Sequence, residues 1–133
     1  MKKLLGFAVL LVVLIFVGRQ VYWMTSEGGN LNVYACNSSD LEEVTLEVFI
    51  DGESVFIEDH TNEKFLDYKG LALYRSMGTH EVKVVAVGKE ISKTSKFNLR
   101  TVKWINIEFA NDENDPSQYD LQMSVESSPI VIE

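Results

Sequence analysis

Residues 44–57, with the sequence VTLEVFIDGESVFI, decide the fold of this chain. Apolar residues take every second position of the first half, which is the period of a strand with one buried face. Asp51-Gly52 follows directly, and an Asp-Gly pair between apolar runs is the strongest short-range signal for a β-hairpin. The segment therefore predicts two antiparallel strands, joined by these two residues or by a loop lengthened by Glu53-Ser54.

Further alternating runs lie on both sides of this hairpin. We predict strands at residues 31–36, 71–75, 80–87, 90–99, 102–109 and 119–126. Turn-forming residues separate them about every eight to twelve positions, as in all-β domains. The pattern predicts an all-β fold: a single antiparallel β-sandwich of seven or eight strands, Ig-like or transthyretin-like, formed by residues 31–133.

Two segments do not fit this regular pattern. Residues 58–69 mix charged, polar and aromatic side chains without a period, and we predict a long loop there, with at most one short helical turn. The apolar tail Ile130-Val131-Ile132 predicts a last strand of the same domain, because an exposed β-branched edge promotes aggregation. Addition of this strand to a partner's sheet is the functional alternative.

The N-terminus has a different character. Two lysines precede the uninterrupted apolar residues 4–17, and the apolar character resumes at residues 21–24. Residues 4–24 would form a helix of roughly 31 Å, enough to cross a hydrocarbon core of about 30 Å. We predict a membrane anchor or signal segment at residues 1–24 and a short polar linker at residues 25–30.

The sequence favours an uncleaved anchor over a cleaved signal peptide. The best cleavage motif, Ser26-Glu27-Gly28, lies far beyond the apolar run, and Cys36 lies too far downstream to be a lipoprotein cysteine. Lys2 and Lys3 predict a cytoplasmic N-terminus by the positive-inside rule. We therefore expect a single-pass protein of the cell membrane with an extracytoplasmic domain, either periplasmic or at the cell surface.

The exported part is strongly acidic. After residues 1–24, nine basic residues remain against 20 acidic ones, a formal charge of −11. This charge disfavours nucleic acid as a partner, and it is typical of a domain that must stay soluble outside the cell.

Residue types that carry chemistry are few. The chain has one cysteine, Cys36, and two histidines, His60 and His80, none of them in a catalytic or zinc-binding motif. Cys36 cannot form an internal disulfide, and His80 is typical of a hydrogen-bonded turn residue. We predict no catalytic residues, no cofactor and no metal site.

Two acidic segments contain oxygen ligands of the kind that calcium prefers, residues 58–63 and 111–115. The second lacks the glycine and the downstream glutamate of an EF-hand, and Pro116 interrupts its spacing. We interpret both segments as ordinary turns and do not expect calcium.

Aromatic residues leave one alternative open. Trp104 lies on the strand face opposite Ile105, so either face of that strand can be the buried one. Packing of Trp104 in the core is favoured. If it were exposed beside Tyr68 or Tyr74, it could stack on a sugar.

Two segments, residues 46–53 and 78–84, resemble the PEGA-type and related transthyretin-like modules of bacterial envelope proteins. In those modules an apolar strand ending in Asp-Gly is paired with a later Gly-x-His-x-Val-x-Val strand. The resemblance covers about a third of the domain and implies a sandwich that serves as a non-enzymatic accessory module.

Together these features predict a non-enzymatic, membrane-tethered binding or adaptor module of a bacterial envelope. Its partners would be the membrane, through the N-terminal helix, and another envelope protein. A carbohydrate-binding module is the alternative.

Overall fold

The structure, a computed structural model, describes residues 1–63 and 68–128, with the backbone alone for residues 23–27. Within these residues the chain forms one helix and eight strands. They are α1 (Lys2–Glu27), β1 (Leu31–Asn37), β2 (Glu43–Ile50), β3 (Glu53–Thr61), β4 (Lys69–Leu73), β5 (Gly78–Ala86), β6 (Ile91–Leu99), β7 (Lys103–Asn111) and β8 (Tyr119–Glu126).

The strands form two four-stranded sheets. The first sheet has the order β4-β1-β7-β8 and the second has the order β3-β2-β5-β6. Alternate residues of both sheets belong to one buried hydrophobic cluster, including Val33 and Ile105 from the first sheet and Leu46 and Val84 from the second. The prediction of a mostly β domain behind an apolar N-terminal helix is confirmed.

The hairpin of residues 44–57 forms as predicted, with the shorter of the two loops. Asp51 and Gly52 have φ angles of 51° and 81°, the positive values that a type I′ turn requires at both central positions. Ile50 pairs with Glu53, and a bulge between Val48 and Phe49 shifts the register. Asp51 tolerates this backbone because a short polar side chain adopts positive φ at little cost.

The first sheet corrects the prediction of purely antiparallel pairing. β1 pairs in parallel with β7 from Leu31↔Lys103 to Asn37↔Phe109, whereas its other neighbour, β4, is antiparallel. Parallel neighbours need a long crossover. The strands of the second sheet lie between β1 and β7 in the chain and supply it, so no hairpin signal marks this pair.

The predicted loop at residues 58–69 is wrong in its first third. β3 continues through Thr61, with Glu58 opposite Leu46 and His60 opposite Val44. β2 is a regular partner along its whole length, so its ladder holds this polar run in the strand conformation despite its low intrinsic strand preference.

Helix α1 continues to Glu27 and ends at Gly28, whose φ of 78° forms a left-handed cap. The helix therefore includes residues 25–27, where the sequence predicted a linker. Asn30 then ties the start of β1 to the segment after β4. Its side-chain amide donates to Arg75 O at 2.8 Å and accepts from Arg75 N at 2.9 Å.

The remaining strand predictions agree with the structure to within a few residues, and β8 has the predicted bounds. Leu121 is buried, and Met123 and Val125 pack on the shared cluster, as the alternation predicted. The tail at residues 130–132 lies outside the described residues.

Candidate functional site

The most unusual surface of the domain is the face of the first sheet that points away from the shared cluster. Because side chains alternate along a strand, this outer face is formed by residues whose neighbours point inward. It consists of Asn32, Tyr34 and Cys36 of β1, Trp104, Asn106 and Glu108 of β7, and Gln122 and Ser124 of β8.

The middle of this outer face is buried. Asn32 and Trp104 are each 1% exposed, Asn106 is 8% exposed, and Cys36 is fully buried. At the edge, Gly70 lies under the ring of Tyr34: a Cβ at position 70 would lie 2.6 Å from Tyr34 Cε1. The absence of a side chain at Gly70 thus lets the tyrosine lie across β4.

Two buried amides on this face have no hydrogen-bond partner among the residues that the structure describes. Neither the side-chain oxygen nor the nitrogen of Asn32 is paired, and the same is true of Asn106. The two are diagonal neighbours, since Asn32 pairs with Trp104 and Asn106 pairs with Tyr34. An unpaired buried amide costs roughly 1–3 kcal/mol, and native proteins contain few of them.

Asn37, on the same strand, shows how such an amide is normally satisfied. It is 2% exposed, and its nitrogen donates to Leu41 O at 2.9 Å and His60 O at 3.2 Å. Its oxygen accepts from the backbone and the hydroxyl of Ser39. This asparagine begins Asn37-Ser38-Ser39, which matches the N-glycosylation sequon, and in the folded domain its side-chain nitrogen is buried and paired.

An open pocket of about 250 Å³ lies over the outer face at β7 and β8. Asn106 lines it, so one of the two unpaired amides borders the cavity. The other lining residues are Tyr68, Ile107, Glu108, Gln122, Met123 and Ser124. Amide, carboxylate and hydroxyl groups therefore surround a space large enough for a small polar group of a ligand.

Tyr68 lines this pocket and is joined by a hydrogen bond to the buried Cys36, which does not line it. Burial raises the pKa of the Cys36 thiol to about 11, although the bond from Tyr68 opposes this shift. Burial and the contact with Cys36 raise the pKa of Tyr68 to about 12. Both groups are neutral at physiological pH, and a neutral thiol is a poor nucleophile.

Glu108 is the carboxylate of the pocket. Its Oε1 accepts a hydrogen bond from Ser38 Oγ, while Ser38 N donates to Phe109 O at 2.9 Å. The serine thus holds one carboxylate oxygen, and the other remains available as an acceptor. Among the described lining residues, Glu108 is the single carboxylate.

The structure bears on the alternative in which an exposed Trp104 stacks on a sugar beside Tyr68 or Tyr74. Trp104 is buried, as favoured, but it packs on the outer face and lies outside the cluster that the two sheets share. Tyr68 lines the pocket, whereas Tyr74 is 58% exposed in the segment after β4. Trp104 therefore does not form an exposed stacking platform with either tyrosine.

The two histidines do not converge. His60 is fully buried in β3 beside Phe56, with ring centroids 5.8 Å apart. His80 lies next to the hairpin turn: its Nδ1 is 2.6 Å from Asp51 Oδ2, and its Nε2 is 2.7 Å from Ser76 O. These contacts raise the pKa of His80 and lower the pKa of Asp51. They are those of a hydrogen-bonded turn residue, as predicted.

The acidic segments form local structure. Asp112 Oδ1 accepts from the backbone nitrogens of Asn114 and Asp115, at 2.7 and 3.1 Å. Asp115 in turn accepts from the backbone and hydroxyl of Ser117, and these bonds lower its pKa. Across residues 1–63 and 68–128, no group of three or more His, Cys, Asp or Glu residues is arranged to hold a metal ion.

The sequence did not identify Asn32 and Asn106 as candidates. Alternation places both opposite the core, where a polar residue is expected to be solvated. The signal that distinguishes them is their burial without partners, which only the folded sheet shows.

Comparison with known proteins adds no assignment. Neither a scan against protein-family models nor a search of the curated proteins found a match for this chain.

Proposed function

We propose that this protein is a non-enzymatic, membrane-anchored binding module of a bacterial envelope, and that the outer face of its first sheet is the binding surface. The observation that carries the proposal is Asn106, a buried amide without a partner that borders an open polar pocket. A ligand group that reaches the Asn106 amide would supply hydrogen bonds that no described protein group makes.

The anchor is helix α1. Residues Lys2–Tyr22 are apolar enough to cross a bilayer, and the most apolar 18-residue window of this span contains no buried residue. The two lysines at its start favour a cytoplasmic N-terminus and an extracytoplasmic domain, which is periplasmic or at the cell surface. An uncleaved helix would keep the binding surface within a few nanometres of the membrane.

For the domain itself we propose an Ig-like or transthyretin-like sandwich of the kind that PEGA-type modules contain. The two segments that resemble those modules form neighbouring strands, since β2 and β5 pair from Leu46↔Ala86 to Ile50↔Val82. Asp51 of the first segment also contacts His80 of the second. This arrangement is what the resemblance implies, and it supports an accessory role.

Position-specific photo-crosslinking in the envelope tests the binding surface. A photoreactive residue at Gln122, which is exposed on the pocket rim, should crosslink to an envelope protein. The matched control is the same residue at Thr94, exposed on β6 of the second sheet. Asn106→Leu should weaken the Gln122 crosslink. Equal products from both positions, or products insensitive to Asn106→Leu, would refute the proposal.

A carbohydrate ligand is the second candidate, because amide, carboxylate and hydroxyl side chains together line the pocket. Trp104 is a neighbour of Asn106 on the same strand, so its fluorescence should report occupancy. Titration with a panel of soluble glycans should change the emission of the wild type, and Asn106→Leu should abolish the change. No response across the panel would leave the protein partner as the remaining candidate.

A further inference from the structure

Side-chain contacts, in addition to the covalent chain, join the helix to the domain. The side chain of Gln20 accepts a hydrogen bond from Val102 N at 3.0 Å. A cleft of about 190 Å³ separates the helix from the domain at this point, and Phe16 and Met77 both contribute to its walls. The end of the domain therefore reaches back along the helix to the level of Phe16.

This contact conflicts with a domain that stands clear of the bilayer. If water covered the helix from Phe16 onward, residues 4–15 alone would cross the membrane, and 12 residues span roughly 18 Å at 1.5 Å each. The hydrocarbon core is about 30 Å thick. A full span needs the helix up to about residue 22, so Gln20, roughly 3 Å before that end, lies where the hydrocarbon meets the headgroups.

From this we propose that the helix-proximal end of the domain rests in the membrane surface. This inference builds on the anchor that is part of the proposed function. The contact surface, which we call the proximal rim, consists of the exposed domain residues Tyr74, Met77 and Arg100 together with Arg19 of the helix. Its occupant is the headgroup layer of the lipid bilayer.

The side chains of the proximal rim suit that layer. Met77 is 75% exposed and Tyr74 is 58% exposed, although both are large and apolar in most of their surface. Tyrosine is enriched at membrane interfaces, and arginine side chains extend from apolar surroundings toward phosphates. Arg75 belongs to the same segment, but it pairs with Glu53 at 3.5 Å.

Charge separates the two ends of the domain. The opposite end carries the acidic loops around Asp40, Glu42, Asp112, Glu113 and Asp115. Anionic headgroups repel such loops. The proximal end also carries Asp51 and Glu53, but these are paired with His80 and Arg75, so the unpaired charge nearest the helix is that of the rim arginines. The rim arginines and the far carboxylates thus favour the orientation that the helix also imposes.

The hydrogen bond of Gln20 also suits this depth. A polar side chain at the edge of the hydrocarbon core loses hydration unless its hydrogen bonds are made within the protein. Its Oε1 takes the backbone N–H of Val102, which itself is 2% exposed and would otherwise lack a partner from the strand ladder. The bond satisfies both groups where water is scarce.

Lipid-dependent quenching tests this orientation. The full-length chain carries Cys36→Ala together with Met77→Cys, is labelled with an environment-sensitive fluorophore, and is reconstituted in vesicles of phosphatidylcholine and phosphatidylglycerol. Nitroxide lipids labelled at the headgroup should quench this probe several-fold more than a probe at Val87→Cys. Val87 is the matched control, since it is 45% exposed at the far end of the second sheet. Tyr74→Cys provides a second rim position.

Equal, weak quenching at positions 74, 77 and 87 in protein that floats with the vesicles would overturn the membrane contact and leave the anchor intact. Protein that stays at the bottom of a flotation gradient after carbonate treatment would overturn the anchor and, with it, this inference.

Discussion

The outer faces of the two sheets differ in what happens to their side chains. On the second sheet, outward residues such as Lys83, Thr94 and Lys96 are exposed to water, as a half-buried sheet requires. On the first sheet, Asn32, Trp104 and Cys36 point outward and are buried. The second sheet is thus buried on one face only, whereas the centre of the first sheet is buried on both faces.

This difference underlies the proposal that the first sheet is the binding surface. A solvated face with charged side chains is an ordinary protein surface. A covered face with two unpaired amides loses stability that an apolar face would not lose, and the proposed binding role gives a reason for that cost. Substitutions that act on one face and spare the other should therefore have unequal effects.

The largest effect should come from the removal of Trp104. Trp104→Ala should lower the free energy of unfolding by about 3–5 kcal/mol, because the side chain is 1% exposed and leaves a large cavity. Phe49→Ala is the matched control, an aromatic on the outer face of the second sheet that is half-buried. Urea denaturation of the full-length chain in detergent measures both. Equal losses would show that the two outer faces do not differ in burial.

Much of this difference in burial between the outer faces of the two sheets could not be predicted from the sequence. Strict alternation predicted β8 with the right bounds, and Asp51-Gly52 predicted the hairpin, because both signals are local. Alternation also placed Trp104 opposite Ile105 correctly. It could not say that the outward face would be covered, since that depends on which strands become neighbours.

Long-range pairing accounts for the other differences. The parallel register of β1 and β7 joins residues more than 70 positions apart, and nothing in either segment marks the other as its partner. The strand at residues 58–61 was missed for the same reason, as its conformation comes from the ladder with β2. Asn32 and Asn106 became candidates only when this pairing placed them near each other.

The two buried asparagines of β1 provide the next test. Asn37→Leu should lower stability by about 1–3 kcal/mol, because it leaves buried groups such as Leu41 O and Ser39 N without partners. Asn32→Leu should instead be neutral or stabilising, since it removes an amide that has no partner.

Chemical denaturation of the two variants measures the difference directly. A substantial loss in Asn32→Leu, comparable to that in Asn37→Leu, would show that the Asn32 amide is satisfied in the protein. The proposed binding face would then keep only one unsatisfied amide, that of Asn106.

At the hairpin turn of the second sheet, His80 and Asp51 form a pair of titratable groups in contact, so the stability of the domain should depend on pH. The pKa of His80 is raised, mainly by Asp51 and then by Ser76 O. Its stabilising contribution is therefore complete below the unfolded value of about 6.5 and is lost as the pH rises through the folded pKa. The pKa of Asp51 is lowered, chiefly by His80, so its contribution is lost as the pH falls through that lower value.

The thermal midpoint of the wild type should thus decline from pH 6 toward pH 9. His80→Gln should decline less over the same range, because it lacks the contribution of the imidazole. Asp51→Asn is the control, because asparagine keeps the positive φ and the acceptor for Glu81 N but removes the charge. An NMR titration should place the His80 pKa lower in Asp51→Asn than in the wild type. Unchanged values would mean that the carboxylate does not hold the imidazolium.

The smallest perturbation uses Cys36 as a reporter of the covered face. With a pKa of about 11, roughly 0.1% of this thiol is ionised at pH 8, against about a quarter of an ordinary thiol with a pKa near 8.5. Because the thiolate is the reactive form, the native chain should react with an aromatic disulfide reagent at least about a hundredfold more slowly than an exposed thiol.

Thr94→Cys in a Cys36→Ala background supplies that exposed thiol on the outer face of the second sheet. Urea should bring the two rates together, since unfolding removes the burial that raises the pKa. If Cys36 reacted within about tenfold of the exposed thiol in the native protein, the outer face of the first sheet would be open to solvent. The outer faces of the two sheets would then not differ in burial.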